Sequence, residues 1–204
     1  MEIFQINSNP SFEFGFLDNL DDSSIVSDVR MLLLQLENTF IDANLSYGLF
    51  NAEYHKQRIN DNDSSIPRKY SHRLIFIYAK NFVQALDNFQ RALKTLTTYK
   101  TLPKEISKLE NKLLEFFPDL RGVRNSMQHM EDRIRGLDSK NKPLTLQPIN
   151  DGIIAPNGAY AFDNLHDTKF KTTMSNGYYG EIDISRQSMI NLQEIINSVF
   201  DLFK

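Results

Sequence analysis

The chain has 204 residues, 41% of them hydrophobic, and its 23 basic and 26 acidic side chains leave a formal charge of -3. That is enough apolar material for a buried core, which excludes global disorder, and the charge balance excludes non-specific nucleic-acid binding by the whole surface. With no cysteine, disulfides, cysteine-ligated zinc and a cysteine nucleophile are excluded as well.

Residues 2 to 6 and 12 to 16 alternate apolar and polar positions around Asn9-Pro10, which predicts short strands that join a sheet edge. The N-terminus lacks a basic head followed by an apolar run, and no span reaches the roughly 20 apolar residues of a membrane helix. A cytoplasmic protein with no membrane partner is therefore expected. After the polar cluster Asp21 to Ser24, with Ser23 or Ser24 as the cap, two apolar series begin: Val29, Leu36, Ala43, Phe50 and Leu33, Phe40, Tyr47, Tyr54. They predict one helix over 24–59 that runs through Gly48. Asn60 to Pro67 reads as a polar loop ended by a proline suited to a first helical turn. The next helix, over 68–99, carries Ile75, Phe82, Leu86, Phe89, Leu93 and Leu96, with Phe76, Ile77 and Val83 widening the stripe. It is the expected centre of the bundle.

The turn at Lys100 to Pro103 leads into two series spaced by seven: Ile106, Leu113, Leu120, Met127, Ile134 and Leu109, Phe116, Val123, Met130, Leu137. Pro118 falls inside this pattern and predicts a kink or brief break, after which the helix restarts and runs to Gly136. Between Leu144 and Ser185 the period becomes two. Asp151-Gly152, Asn157-Gly158 and Asn176-Gly177 are pairs suited to tight hairpin turns, and the runs between them predict an antiparallel meander. Ser185 is a cap for a last helix, 186–203. The expected fold is mainly α: a single domain, 1–204, with an antiparallel helical bundle over 24–137 and 185–203. The β elements are expected at 1–17 and at 144–184, the latter a meander inserted before the last helix.

Opposite the apolar stripe, Arg121, Arg124, Asn125, Gln128, His129 and Asp132 share one helix face. Arg124 and His129 are five residues apart, about 7.5 Å of rise, so both can address one groove. Histidine titrates near neutral pH and can move a proton at a ribose hydroxyl or a leaving oxygen. Arginine can hold a phosphate with two prongs and stabilise added negative charge, and Asn125 can orient either group. The set suits phosphodiester cleavage without a metal.

Arg124-Asn125-x-x-x-His129, on a late helix of a bundle and followed by one more helix, resembles the R-N-x-x-x-H motif of the HEPN superfamily, the higher-eukaryote and prokaryote nucleotide-binding domains. The resemblance implies a bundle of four or five helices that dimerises through its motif helices. It implies a composite, metal-independent endoribonuclease site built from Arg124, Asn125 and His129, with no cofactor and no metal. It further implies an RNA substrate and a role as a toxin held by an antitoxin or regulatory protein, or in defence against phage. The alternative is a non-catalytic HEPN-like dimer that binds a partner protein or a nucleotide.

Other groups carry weaker signals. Residues 119–142 hold six basic and four acidic side chains, a mild local excess of positive charge. His55 has no second metal ligand four residues away. His72 sits in a basic first turn, and His166 with Asp163 and Asp167 reads as a turn tip. Tyr160, Phe162, Tyr178 and Tyr179 could stack bases, although packing of a sheet on a helix is their commoner use.

Overall fold

A computed structural model describes residues 2–7, 17, 22–59, 67–151 and 153–204. The fold is mostly helical, with small antiparallel sheets toward the C-terminus. Helix α1 (Ser23–Arg58) and helix α2 (Arg68–Leu96) form a long antiparallel hairpin. Its seam is the predicted one: Val29, Leu33, Leu36, Phe40, Ala43 and Phe50 are buried, as are Ile75, Phe82, Leu86, Phe89, Leu93 and Leu96. Ile77 departs from the expected stripe and is exposed, as are Leu34, Ile41, Leu45 and Leu49 along one row of α1. The cap of α1 is Asp22, one residue before the expected serines. Its carboxylate accepts from Ser24 N, Ile25 N and the Ser24 hydroxyl, and these bonds hold its pKa below the ordinary value. No helix among the described residues is long and apolar enough to cross a membrane.

Residues 2–6 form no strand, whereas 8–16 lie outside the described residues. The reason is the polar side chain of Asn44, buried in α1. It donates to Phe4 O at 2.8 Å and accepts from Phe4 N at 3.3 Å, satisfying both backbone groups that a neighbouring strand would otherwise take. Phe4 packs edge-on against Tyr47, while Gln193 and Asn197 of the last helix hold Gln5 O and Asn7 N. The segment is strapped to helices and joins no sheet.

Helix α3 (Glu105–Phe116) ends at the expected break, and α4 (Leu120–Gln128) begins two residues past Pro118. Ile106, Leu113, Leu120 and Val123 are buried as their spacing predicts. The pattern then fails, because α4 stops at His129 and a short α5 (Met130–Ile134) restarts at a different rotation. Ile134 is 67% exposed and Arg133 takes the inward position at 1%, a shift of one residue, or about 100 degrees. Arg133 donates to Leu137 O, and Gly136 at positive φ closes the segment.

The meander is two sheets. β1 (Ile149–Asp151) pairs with β2 (Ile153–Ala155), while β3 (Asn164–His166), β4 (Lys169–Thr173) and β5 (Tyr179–Asp183) form an antiparallel sheet of order β3-β4-β5. Asn176-Gly177 joins β4 to β5, and Asn157-Gly158 turns after β2, but in both only the glycine has positive φ. Residues 159–162 form no strand. They hydrogen-bond to Thr173 through Ala161. Asp167, at φ 52, supplies the β3–β4 turn. Helix α6 (Arg186–Asp201), capped by Ser185 as expected, packs on α1 and α3.

The sheet meets α4 at two points. A Cβ on Gly122 would overlap Met174 Sδ, so α4 lies close against the β4–β5 turn. Asp119, just before α4, accepts from Glu181 N at 3.0 Å. Glu181 also receives Lys169 Nζ at 2.6 Å and the buried Lys171 Nζ at 2.9 Å. Burial pushes its carboxyl pKa up, and the two lysines outweigh that, leaving it below the ordinary 4.5. The resulting stabilisation is complete above that ordinary value and is lost as pH falls through the lowered folded value. Glu181→Gln should therefore lower urea-unfolding stability near neutral pH by about 2 kcal/mol, less than for a fully buried pair because Glu181 keeps part of its surface in water. The gap from wild type should narrow as the pH is taken below 4.5. A gap that stays constant with pH would show that the lysines are not balanced by this carboxylate.

Candidate functional site

The three motif residues lie where α4 passes between α2 and the sheet. Arg124 is anchored. Its Nε lies 2.9 Å from Asp87 Oδ1 of α2, an ion pair in which the N–H is not aligned on the oxygen. One of its terminal nitrogens donates to Gln128 Oε1 at 2.8 Å. Asp87 is 2% exposed, and its other oxygen accepts from Arg91 Nε at 2.7 Å. A carboxylate so far from water requires compensating charge, and here each oxygen faces a guanidinium.

Asn125 is half-buried, and its backbone carbonyl accepts from His129 N at 3.0 Å, closing the last turn of α4. His129 lies outside helical geometry, at φ -116 and ψ 43. Its carbonyl accepts from Asp132 N and Arg133 N, so it ends one helix and begins the next. Contrary to the expectation of one continuous motif helix, the histidine sits on a joint. It is exposed, and the ligand atoms of His129, Glu131 and Asp132 lie within 4.8 Å of one another. An imidazole with two carboxylates is a donor set that a divalent cation accepts, although Asp132 is already paired with Arg135 at 2.5 Å. Among the described residues no hydrogen bond links the side chains of Arg124, Asn125 and His129.

The other expected members separate. Arg121 and Gln128 are exposed on α4, and Asp132 belongs to the joint. Ser126, within the motif, turns into the core, where its hydroxyl has no hydrogen-bond partner among the described residues. His72 lies tilted against Phe76, and Tyr160 stacks on Phe162. Tyr179 accepts from Asn164 while the Lys171 ammonium sits over its ring. These contacts are packing. A cleft of about 400 Å³ opens at the Pro118 break between Phe116, Asp119, Tyr179 and Glu181, away from His129 in sequence and lined by carboxylates already bonded.

The residues not anticipated are Asp87 and Arg91. The signal was present, since Asp87 is the sole acidic residue in α2. The anchoring makes Arg124 a stability residue and leaves His129 out of that role. Arg124→Ala and Asp87→Ala should each destabilise the protein by about 2–3 kcal/mol. The double variant should lose less than the sum, with a coupling of about 1–3 kcal/mol in urea unfolding, whereas His129→Ala should stay within about 0.5 kcal/mol of wild type. Additive losses would dissolve the anchor. No family model, no curated protein and no solved structure matches this chain, so the likeness to HEPN domains rests on Arg124, Asn125, His129 and the order of the helices.

Proposed function

We propose that the protein is a metal-independent endoribonuclease of HEPN type, working as a homodimer in which two copies of α4 meet. The observation that supports this best is a fixed cation on α4 and an exposed imidazole, five residues on, at the joint that ends that helix. His129 takes the proton from a ribose 2′-hydroxyl as its oxygen attacks the adjacent phosphorus. The bond to the 5′-oxygen breaks, and that oxygen receives a proton from the second imidazole. The ends left are a 2′,3′-cyclic phosphate and a 5′-hydroxyl, so no water or redox partner is consumed. Arg124, held from behind by Asp87, offers its remaining N–H donors to the phosphate oxygens that gain charge. Asn125 positions the phosphate, and Glu131 or Asp132 can hold the imidazole in a productive orientation. An antitoxin or regulatory protein covering the exposed His129 would silence the site.

Two observations favour a second reading, a non-catalytic dimer that binds a partner protein or nucleotide. Arg124 already has two neighbours to satisfy it, and among the described residues the row Leu34, Ile41, Leu45 and Leu49 on α1 is an exposed apolar face. Incubating the protein in EDTA with an RNA that has both stems and loops separates the readings. The nuclease reading expects cyclic-phosphate ends and a loss of about 100-fold or more in His129→Ala. Arg124→Lys should keep the fold and lose most of the cutting, because lysine cannot supply the two-pronged contact. Equal cleavage by wild type and His129→Ala would remove this site from the chemistry, and no cleavage by a protein that sediments as a dimer would favour the second reading.

A further inference from the structure

Charge is distributed along this chain very unevenly. Helix α2 contains six basic residues and one acidic one, a net of +5, in a protein whose total is -3. Five of the cations, Lys69, Arg73, Lys80, Arg91 and Lys94, fall within about 60 degrees of one another around the helix axis, at 100 degrees per residue. They form a single file about 37 Å long.

The ion pairs confirm where that file runs. Asp87 lies in the same sector and reaches Arg124 of α4, while Asp163, before β3, reaches Arg73 at 3.6 Å and Lys80 at 2.6 Å. The file therefore follows the edge of α2 that borders α4 and the sheet, and Arg124 joins it. Among the described residues, two carboxylates, both largely buried, oppose six cations. Lys69 and Lys94, at the two ends, are exposed and have no carboxylate partner among the described residues. Glu110 of α3 comes against the neighbouring edge and accepts from Gln90. Self-neutralising surface ion pairs would bring the two signs together in similar number. Here like charges are held in line, which costs repulsion that an anionic ligand would relieve.

We infer that this file is a track for the backbone of single-stranded RNA, leading the strand to Arg124. A line one cation wide matches one sugar-phosphate backbone, and Tyr70, 68% exposed beside Lys69, offers a plane on which a base can stack. The inference rests on the nuclease reading for its direction, since it makes α2 the substrate-binding element of that site. It assigns binding to residues that take no part in the chemistry.

The test separates binding from cutting by using a fluorescent 2′-O-methyl oligoribonucleotide, which lacks the attacking hydroxyl. Anisotropy across a salt series gives affinity and salt slope. The pair Lys69→Gln/Lys94→Gln should reduce the slope by about 1.4, two contacts at about 0.7 each for a single strand. Lys104→Gln/Lys108→Gln, at and in α3, removes the same charge elsewhere and should change neither quantity. His129→Ala should bind as wild type does. Equal effects of the two lysine pairs, tighter binding of a duplex than of a single strand, or no binding by wild type would overturn the track. If the α2 pair binds normally while unmodified RNA is still cut, the track fails and the nuclease stands. If binding follows the track and nothing is cut, the nuclease reading fails and the track stands. Thermal unfolding of each variant guards against loss of fold.

Discussion

The carboxylate of Asp87 sits almost out of water on the inner side of α2. Taking such a group from water costs several kcal/mol unless opposite charge meets it, and the two guanidiniums that do so come from different places. Arg91 lies one turn along α2 itself, whereas Arg124 comes from α4. The pair therefore does what an apolar contact could not: it fixes the rotation of a nine-residue helix. Apolar packing on that helix comes from Leu120 and Val123, with Met127 partly buried against the core and Gly122 set close against Met174. Non-directional burial would tolerate some rolling of so small a face, and the ion pair does not.

What the sequence reveals about this fold follows the same division between non-directional and directional forces. The α1–α2 hairpin, the α3 stripe up to Val123 and the capped last helix are legible because each buries a broad apolar face with helical period. The errors fall where a polar group decides. Residues 2–6 alternate like a strand, yet the amide of Asn44, 40 positions away, takes both hydrogen bonds of Phe4. The seven-residue spacing to Ile134 is real, but a helix joint at His129 turns Arg133 inward instead. No glycine or proline marks that joint, so nothing local in residues 124–130 announces it. In the β region, Gly177 makes the hairpin turn its sequence predicts, Gly158 makes a turn that leads into no strand, and Asp167 turns β3 into β4 without a glycine.

The geometry around the candidate residues follows the same division. Arg124, Asn125 and His129 could be selected because their chemistry fits one reaction, but spacing on an ideal helix misplaces His129. The partner of Arg124 lies 37 residues earlier; Asp87 stands out as the sole acidic residue of α2, but no local pattern says which cation it meets. The basic file on α2 was visible from the start, since both its composition and its helical period are sequence properties. Counting charge around the motif alone, over 119–142, conceals it, because the cations that matter belong to a different helix.

Being a structural anchor and being a phosphate ligand are compatible roles for one arginine. A guanidinium has five N–H donors in a fixed plane. Asp87 faces Nε and Gln128 receives from a terminal nitrogen, so donors remain for an incoming anion. Because Asp87 is shared with Arg91, the three groups together keep one net positive charge. An arginine on the open surface would have to be ordered at the moment of binding, which costs side-chain entropy, whereas this one is already oriented by a contact that stabilises the fold. The anchoring that first argues against a catalytic Arg124 is thus compatible with the proposed chemistry: a cation held still on α4, with an exposed imidazole five residues on at the helix joint.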